Sequence, residues 1–374
     1  MIQEHQEPIP SLVRGDNSDQ KVACEDVQRF VLECLNRAGA DGPSASAVTR
    51  SLVEASCRGV DTHGIRLLPH YVKALTGGRI NGTPNIRYDR LSGGTGRLDA
   101  NDGFGHLAGY RAVEEGMRLA DENGIGAVTV TNSSHFGAAG SYTIPAAEAG
   151  YLALALCNSD KLVLPYDGTT PFHGTNPISF AAPVAEGRPY LFDMATSSIP
   201  LNRVLQYRAI GRSLPPDVAV DEEGEMTTDP SRAVALLPVG GTGYGFKGAA
   251  LAGMCEVLSS ALTGMAFSNH LLSMGGPDYA TRRHLGHFFL IMKPEAFIAP
   301  DLYQQHMAGY LAELRCQPAK PETRIMAPGD REWAEEAVRR KTGIPFDAAV
   351  WTEFLELAEN FGLAPLAATT TTVS

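Results

Sequence analysis

From Ala127 to Gly140 the chain reads AVTVTNSSHFGAAG, and this stretch limits the possible folds more than any other. Val128 to Thr131 is a β-branched run, which suits a pleated and partly buried strand. The run breaks at a small polar turn, Asn132-Ser133-Ser134, and is followed by His135. A Gly/Ala-rich segment then offers little side-chain bulk and can start a helix. A strand that hands over to a helix through a polar turn demands a sheet covered by helices. It also delivers one titratable side chain to the sheet edge. On residue chemistry alone, a hydrogen-bonded turn histidine is the stronger reading and a reacting histidine the sharper one.

The rest of the composition agrees with a turn-rich α/β protein. The 374 residues suffice for two or three buried cores. The 39 glycines and 24 prolines imply many tight turns rather than a helical bundle. A formal charge of −11 argues against nucleic acid as the main partner, because phosphate neutralisation needs clustered Lys and Arg. An anionic small molecule stays open, since it needs only one basic pocket. Cys24, Cys34, Cys57, Cys157, Cys255 and Cys316 are far apart and form no CxxC pair, so free thiols in a reducing compartment are expected. The first twenty residues are polar and acidic without an apolar signal core, which leads us to expect a cytoplasmic protein. The longest apolar run, Gly248 to Phe267, carries Glu256 at its centre and fits a core helix better than a membrane span.

Along the chain, residues 1 to 19 suggest a loose arm. Helical stripes follow over Lys21 to Ala38, after Pro43-Ser44 to about Gly59, and over Leu67 to Leu75. Between the last two lies a polar link, Val60-Asp61-Thr62-His63-Gly64, whose Asp or Thr can cap the third helix. Gly77 to Gly105 is turn-rich, with short strands around Ile86 and Arg97-Leu98. Helix and strand then alternate: a helix over Gly109 to Asn123, the opening strand, and a small-residue helix over Ser141 to Ala149. Strands follow at Tyr151 to Cys157, Ile178 to Ala182 and Tyr190 to Asp193. Residues 211 to 245 make an irregular insertion, followed by a long helix from Lys247 to Phe267 and a strand from His287 to Met292. Helices at 300 to 316, Glu332 to Lys341 and Ala348 to Phe361 precede a Thr-rich tail.

Several constellations could carry chemistry. Gly243-Tyr244-Gly245-Phe246-Lys247-Gly248 matches GxGxxG, but no clean strand precedes it and no acidic residue ends a second strand about 20 positions on. A Rossmann site is therefore not expected. What survives is Lys247 with Gly-rich backbone at a helix start, a seat for phosphate or simply a solvated lysine. His63 in DTHG and His135 in SSHFG are suited to proton transfer near neutral pH. His284 and His287 form HxxH without a third ligand at suitable spacing, so no metal site is expected. Gly174-Thr175-Asn176-Pro177 and Asp193-Met194-Ala195-Thr196-Ser197 end apolar strands with hydrogen-bonding groups that could hold a ribose or an amide, or only shape turns.

Taken in order, RGVDTHGIRLLPHY (58–71), SSHFGAAGSY (133–142), CNSD (157–160), GTNPISFAAP (174–183), FDMATS (192–197), AVDEEGEMTTDP (219–230), FKGAALAGMCEVLSSALTG (246–264) and APGDRE (327–332) resemble the malate/L-lactate dehydrogenase family, which lacks a Rossmann fold. The resemblance covers roughly residues 20 to 347. It implies an α/β fold with a non-Rossmann mixed β-sheet cofactor domain wrapped by helices, plus a largely helical domain built from both chain ends. The expected division is an arm over 1–19, a helical domain over 20–105, a cofactor domain over 106–300, C-terminal helices over 301–365 and a tail over 366–374. It further implies an oxidoreductase using NAD or NADP on a small 2-hydroxy or 2-oxo acid. The expected assembly is a homodimer with the site near its interface, and neither nucleic acid nor membrane is an expected partner. A ureidoglycolate-type branch is weakly favoured by the surroundings of SSHFG and CNSD.

Carried over by position, the resemblance implies that His135 and His63 are the catalytic proton-transfer candidates. Ser159, Asp193, Met194, Ala195, Lys247, Gly248, Pro328 and Gly329 match cofactor-contacting positions, and Arg66, Tyr71 and Asn176 fall where substrate contacts are expected. Three departures stand out. Ile199-Pro200-Leu201-Asn202-Arg203 replaces a common Gly-Lys pair, and Lys247-Gly248-Ala249-Ala250 lacks a common tyrosine. Arg66 follows His63 by three residues rather than four, a turn of ~100° on a helix. Two alternatives remain: a cyclic 2-imino acid reductase of the same family, and a member that binds ligand without catalysis.

Overall fold

The computed structural model describes residues 20–368. The arm expected over 1–19 and positions 369–374 of the expected tail lie outside the described residues. The chain opens with a strand β1 (Gln20–Val22) and helices α1 (Cys24–Arg37), α2 (Gly42–Cys57) and α3 (Leu68–Thr76). Strands β2 (Arg87–Arg90) and β3 (Thr95–Asp99) lead to α4 (Gly105–Asn123), β4 (Ile125–Ser133), α5 (Gly140–Glu148) and β5 (Leu152–Cys157). Then come β6 (Ile178–Ala182), β7 (Tyr190–Met194), α6 (Leu201–Ala209), β8 (Ala219–Val220), β9 (Ala235–Leu236) and α7 (Gly241–Glu256). The last elements are β10 (Leu285–Met292), α8 (Pro300–Arg315), α9 (Asp330–Thr342), β11 (Ile344–Phe346) and α10 (Ala348–Phe361).

Four local expectations change. Residues 20 to 22 do not begin the first helix but pair antiparallel with β11, so Gln20 meets Phe346. No side chain of Asp61 or Thr62 caps α3; those residues form their own 3-10 turn, and Leu67 takes the cap position without a side-chain bond. Helix α6 lies where no stripe was seen, because it buries only Val204. Helix α7 starts inside the glycine run at Gly241 and ends at Glu256, where a wider π-type turn over Val257–Ala261 replaces the expected continuation to Phe267.

The main sheet has seven strands in the order β2-β3-β4-β10-β5-β6-β7. It takes in β2 and β3, upstream of the boundary expected at residue 105. β10 is antiparallel to both β4 and β5, which makes β4 and β5 parallel to each other. β6 is antiparallel to β5 and to β7, so β7 also runs with β4 and β5. The carboxyl ends of β4, β5 and β7 therefore share one edge, and β6 and β10 begin there. In open α/β sheets that edge is where ligands gather.

Alternation along the strands separates two cores. Phe289 and Ile291 of β10, with Val128 and Val130 of β4, face α4 and α5 through Ala112, Leu119 and Tyr142. Phe288 points the other way and meets Leu156, Ile178 and Cys255 of α7. Helix α4 comes close to the sheet because Gly126 has no side chain: a Cβ there would lie 2.1 Å from the Gly116 carbonyl oxygen. A third core joins both chain ends. Phe30, Leu35, Leu52, Leu68 and Tyr71 pack with Ile344, Phe346 and Phe354, and Leu366 lies against them. Truncating a buried ring such as Phe346 to alanine would cost about 3–5 kcal/mol. The result is a mixed sheet wrapped by helices beside a mostly helical body, and the seam between them holds the DTHG turn.

Candidate functional site

His135 reaches the seam because of how β4 ends. Asn132 has φ 49°, and the pairing of β4 with β10 slips between Leu285 and His287. Asparagine tolerates this left-handed backbone better than most residues. The chain then turns through Gly137, at φ 73°, where a Cβ would come 2.9 Å from Nε2 of His106. A glycine is required there on both counts, and it lets the His135 backbone lie against α4.

His63 arrives from the other body. Arg339 of α9 grips both carboxylate oxygens of Asp61, at 2.5 and 2.9 Å. Asn202 of α6 donates to the Thr62 carbonyl at 2.7 Å. Held from both sides, the turn stacks the His63 ring against the His135 ring, with centroids 6.0 Å apart and planes within 19°. Tyr71 of α3 lies beneath, its hydroxyl 2.6 Å from Nδ1 of His135. His63 Nδ1 is 3.0 Å from the Thr62 hydroxyl.

Both histidines are half-buried and resist a positive charge. Burial draws His63 down to about 4. It draws His135 well below its ordinary value, and His63, His106, His70 and Arg283 push the same way. Each ring is therefore neutral at pH 7 in the free protein. Tyr71 is fully buried, and burial raises its hydroxyl well above 10, so it keeps its proton.

The expected cofactor positions from Ser159 to Gly248 are linked by hydrogen bonds and close packing beside the carboxyl edge. Ser159 follows β5; its hydroxyl accepts from the Thr175 amide at 3.0 Å. The Thr175 carbonyl accepts from the Thr196 amide at 2.9 Å, next to Asp193-Met194-Ala195. The Thr196 carbonyl in turn accepts from Val239 at 2.9 Å, and Gly248 packs so tightly on Val239 that a Cβ would lie 2.4 Å from its oxygen. Lys247 stands exposed beside Gly248, its ammonium 5.1 Å from the Tyr244 ring centre. Pro328 and Gly329 lie apart from that edge: the Pro328 carbonyl accepts at 3.2 Å from Leu191, near the start of β7, and Gly329 begins α9. Asp193 is an exposed residue, yet desolvation by the surrounding protein pushes its carboxyl up to about 6, against the pull of the Gly140 amide and Arg58. Its Oδ2 accepts from Gly140 at 2.8 Å, at the start of α5.

Two of the expected substrate-contact residues are engaged with protein partners. Asn176 is fully buried; its Nδ2 donates to Glu256 at 2.9 Å and its Oδ1 accepts from Ser159 at 3.0 Å. With both ends of the amide engaged, it positions the Ser159 loop and offers no group to a substrate. Arg66 forms an ion pair with Asp347, the cap residue of α10. Reasoning from sequence missed Asn202, Asp61 with Arg339, and the buried Arg283–Asp160 pair at 2.6 Å. The first lay in a segment whose only signal was its departure from the common pattern.

The donor set suits a nicotinamide dinucleotide: a carboxylate and hydroxyl for ribose, and an ammonium for phosphate. Among the described residues no group of three or more His, Cys, Asp or Glu could hold a metal ion. No described helix is long and apolar enough to cross a membrane.

Comparison with known proteins identifies the family. The model of the malate/L-lactate dehydrogenase family matches residues 22–355. A malate dehydrogenase from Pyrococcus abyssi is 33% identical over 358 residues, covering 94% of this chain and 98% of that protein. The NAD(+)-linked ureidoglycolate dehydrogenase of Escherichia coli K12 is 32% identical over 310 residues, covering 83% and 87%. The crystal structure of malate dehydrogenase from Entamoeba histolytica superposes with a TM-score of 0.88 at 30% identity, covering 93% of this chain and 99% of that one. The chain belongs to the malate/L-lactate dehydrogenase family and is a dehydrogenase of that family.

Proposed function

We propose that the protein moves a hydride between a nicotinamide cofactor and a small 2-hydroxy or 2-oxo acid, with the His63–His135 pair managing the proton. The observation that carries this reading is the stacking of the two neutral rings over Tyr71, at the sheet edge where Ser159 and Asp193 lie. When bound, the cofactor supplies or accepts the hydride. The protein's own part is to hold the substrate oxygen against a histidine, to orient the acid, and to keep water out of the seam. Ser159, Asp193, Met194, Ala195, Lys247, Gly248, Pro328 and Gly329 are the residues that would hold the cofactor. Similarity to a malate dehydrogenase and to a ureidoglycolate dehydrogenase is nearly equal, so the substrate class stays at 2-hydroxy acids.

Exposed apolar surface on α7 supports assembly as a homodimer. Phe246, Leu251, Met254 and Val257 leave large apolar surface exposed along the helix and the turn after it. Helices that are apolar on all sides need cover, and a second copy supplies it. The six unpaired cysteines support a reducing compartment such as the cytoplasm.

The test is to add NADH or NADPH with a panel of 2-oxo acids and follow nicotinamide absorbance. Oxidation of either cofactor with at least one 2-oxo acid is expected. Turnover of a cyclic 2-imine alone would replace the reading with an imine reductase. Cofactor binding without turnover of any compound would leave a ligand-binding protein.

A further inference from the structure

Away from the paired histidines, a cavity of about 230 Å³ opens where α2 and α9 meet α4 and α5. None of the candidate catalytic, substrate-contact or cofactor residues lines it. We propose that this cavity binds a small phosphate-type oxyanion, held by Arg50 of α2, by Arg58 at the end of that helix and by the Tyr110 hydroxyl of α4. Arg58 carries the argument. Its side chain is 6% exposed, yet its one hydrogen-bond or ion-pair partner among the described residues is Glu54, at 3.3 Å. The same Glu54 oxygen accepts from Arg340 at 2.7 Å, so its charge is shared. A guanidinium has five N–H donors in a rigid fork and keeps its charge at any pH a folded protein meets. Burying one behind a single long contact is costly unless its other donors meet an acceptor. The cavity lies beside them.

The walls are charged unevenly. Four arginines, Arg50, Arg58, Arg188 and Arg340, line the cavity with three glutamates, Glu54, Glu148 and Glu336, which leaves one positive charge over. Arg188 is paired with Glu148 at 3.4 Å and Glu336 at 3.1 Å, and Arg340 with Glu336 at 2.6 Å as well as Glu54. Arg50 has no carboxylate partner among the described residues. Its guanidinium lies over the Tyr110 ring, 4.7 Å from the centre. The least engaged cations are thus Arg50 and Arg58. Spaced four and four around Glu54, they share one face of α2.

Tyr110 adds a neutral donor, because burial pushes its hydroxyl up to about 12 and it keeps its proton. The cavity is smaller than the ~300–1,000 Å³ pockets that hold drug-sized molecules, so its ligand is small. Arginine forks match phosphate oxygens by parallel N–H bonds, and a tetrahedral ion can meet donors from several walls at once. An ion here also joins the two bodies, since α2 belongs to the helical core and α4 and α5 cover the sheet. Arg58 leads into the turn that carries His63, and Ser141 of the cavity wall follows Gly140, whose amide holds Asp193. The oxyanion would therefore brace the seam from behind and leave the reaction site open.

The test is a titration of the full-length protein with inorganic phosphate, read by calorimetry and by thermal unfolding, beside sodium chloride at equal ionic strength. Wild type is expected to show saturable heat and a saturable rise in melting temperature that chloride does not give. Arg50 is exposed, so Arg50→Gln should fold normally and weaken phosphate about tenfold or more, the worth of one charge-assisted hydrogen bond. Arg58→Gln should abolish binding; since Arg58 is buried, Arg50→Gln decides the matter where Arg58→Gln does not fold. Lys247→Gln, at the cofactor edge, should bind phosphate as wild type does. Stabilisation by chloride equal to that by phosphate, an Arg50→Gln affinity within about twofold of wild type, or binding lost in Lys247→Gln would overturn the assignment. None of these readouts needs turnover, so they stand apart from the proposed reaction.

Discussion

Tyr71 and His135, on different bodies of the molecule, meet hydroxyl to ring nitrogen at 2.6 Å. Tyr71 belongs to the helical core built from both chain ends, and His135 leaves the central sheet. Any slip of one body against the other is therefore felt first at this bond. Tyr71→Phe removes the hydroxyl and nothing else. One hydrogen bond of about 1 kcal/mol corresponds to about a fivefold fall in kcat, with the melting temperature little changed. An unaltered kcat would separate Tyr71 from the chemistry.

Glu256 anchors the loops behind the cofactor edge. It is 5% exposed and accepts from Asn176 at 2.9 Å, from the Ser268 amide at 3.2 Å and from the Ser268 hydroxyl. Burial pushes its carboxyl up, but the His173 ring 3.8 Å away and the bonds from Ser268 and Asn176 outweigh it and hold it below 4.5. A carboxyl depressed by folding stabilises above its ordinary value and loses that contribution as pH falls through and below it. Glu256→Gln sets an NH₂ group against a neighbouring donor and should cost about 1–3 kcal/mol at pH 7 in denaturant unfolding. The deficit should shrink towards pH 3.

His106 acts in the same direction at higher pH. It is fully buried, neither nitrogen has a partner among the described residues, and burial draws it down to about 3. The unfolded chain binds this proton below about pH 6.5 while the folded chain refuses it until about pH 3, so stability is full above 6.5 and falls with pH between the two. The slope is on the order of 1 kcal/mol per pH unit. His106→Leu should flatten that slope in unfolding curves between pH 6 and 4; an unchanged slope would show that His106 is hydrated or already charged.

Asp347 does two jobs at once. Its carboxylate accepts from the amides of Ala349 and Val350 at 3.1 and 3.0 Å, and it pairs with Arg66. Asp347→Asn keeps the cap and loses only a half-exposed ion pair, a cost below about 1 kcal/mol. Asp347→Ala also loses the cap, for about 1 kcal/mol more. If Arg66 serves the substrate carboxylate, freeing it in Asp347→Asn should lower KM, and Arg66→Ala should raise it without lowering kcat. An effect of Arg66→Ala on stability alone would confine it to the α10 cap.

Val257 is 58% exposed at the end of α7. Val257→Glu places a charge on the proposed dimer face and should shift sedimentation towards the monomer. Sedimentation equal to wild type would show that another surface joins the copies.

Strand β6 and helix α10 were legible to the residue, because each has a pattern that its neighbours need not complete: ISFAA is a short apolar run between turns, and Asp347 caps a periodic stripe closed by Gly362. Strand β1 was not, since QKV has no pattern until β11 comes alongside. Helix α6 escaped for the same reason, as Val204 is its single buried residue. Asn176 looked available because an asparagine in a polar turn carries no sign of its own burial. Its partners Glu256 and Ser268 come from a distant part of the chain.

By itself the sequence determined the alternation of helix and strand, the Gly-rich close approaches and the set of motifs that marks the family, because those properties reside in short runs of side chains. It also brought His63 and His135 forward as equal candidates. Only the tertiary structure decided how they differ. Hydrogen bonds are directional, and a ring nitrogen's role depends on which donor faces it. The Gly137 N–H donates to His135 Nδ1 and the Tyr71 hydroxyl lies against the same nitrogen, whereas the Thr62 hydroxyl faces Nδ1 of His63. That difference arises where a strand end from one body meets a helix from the other.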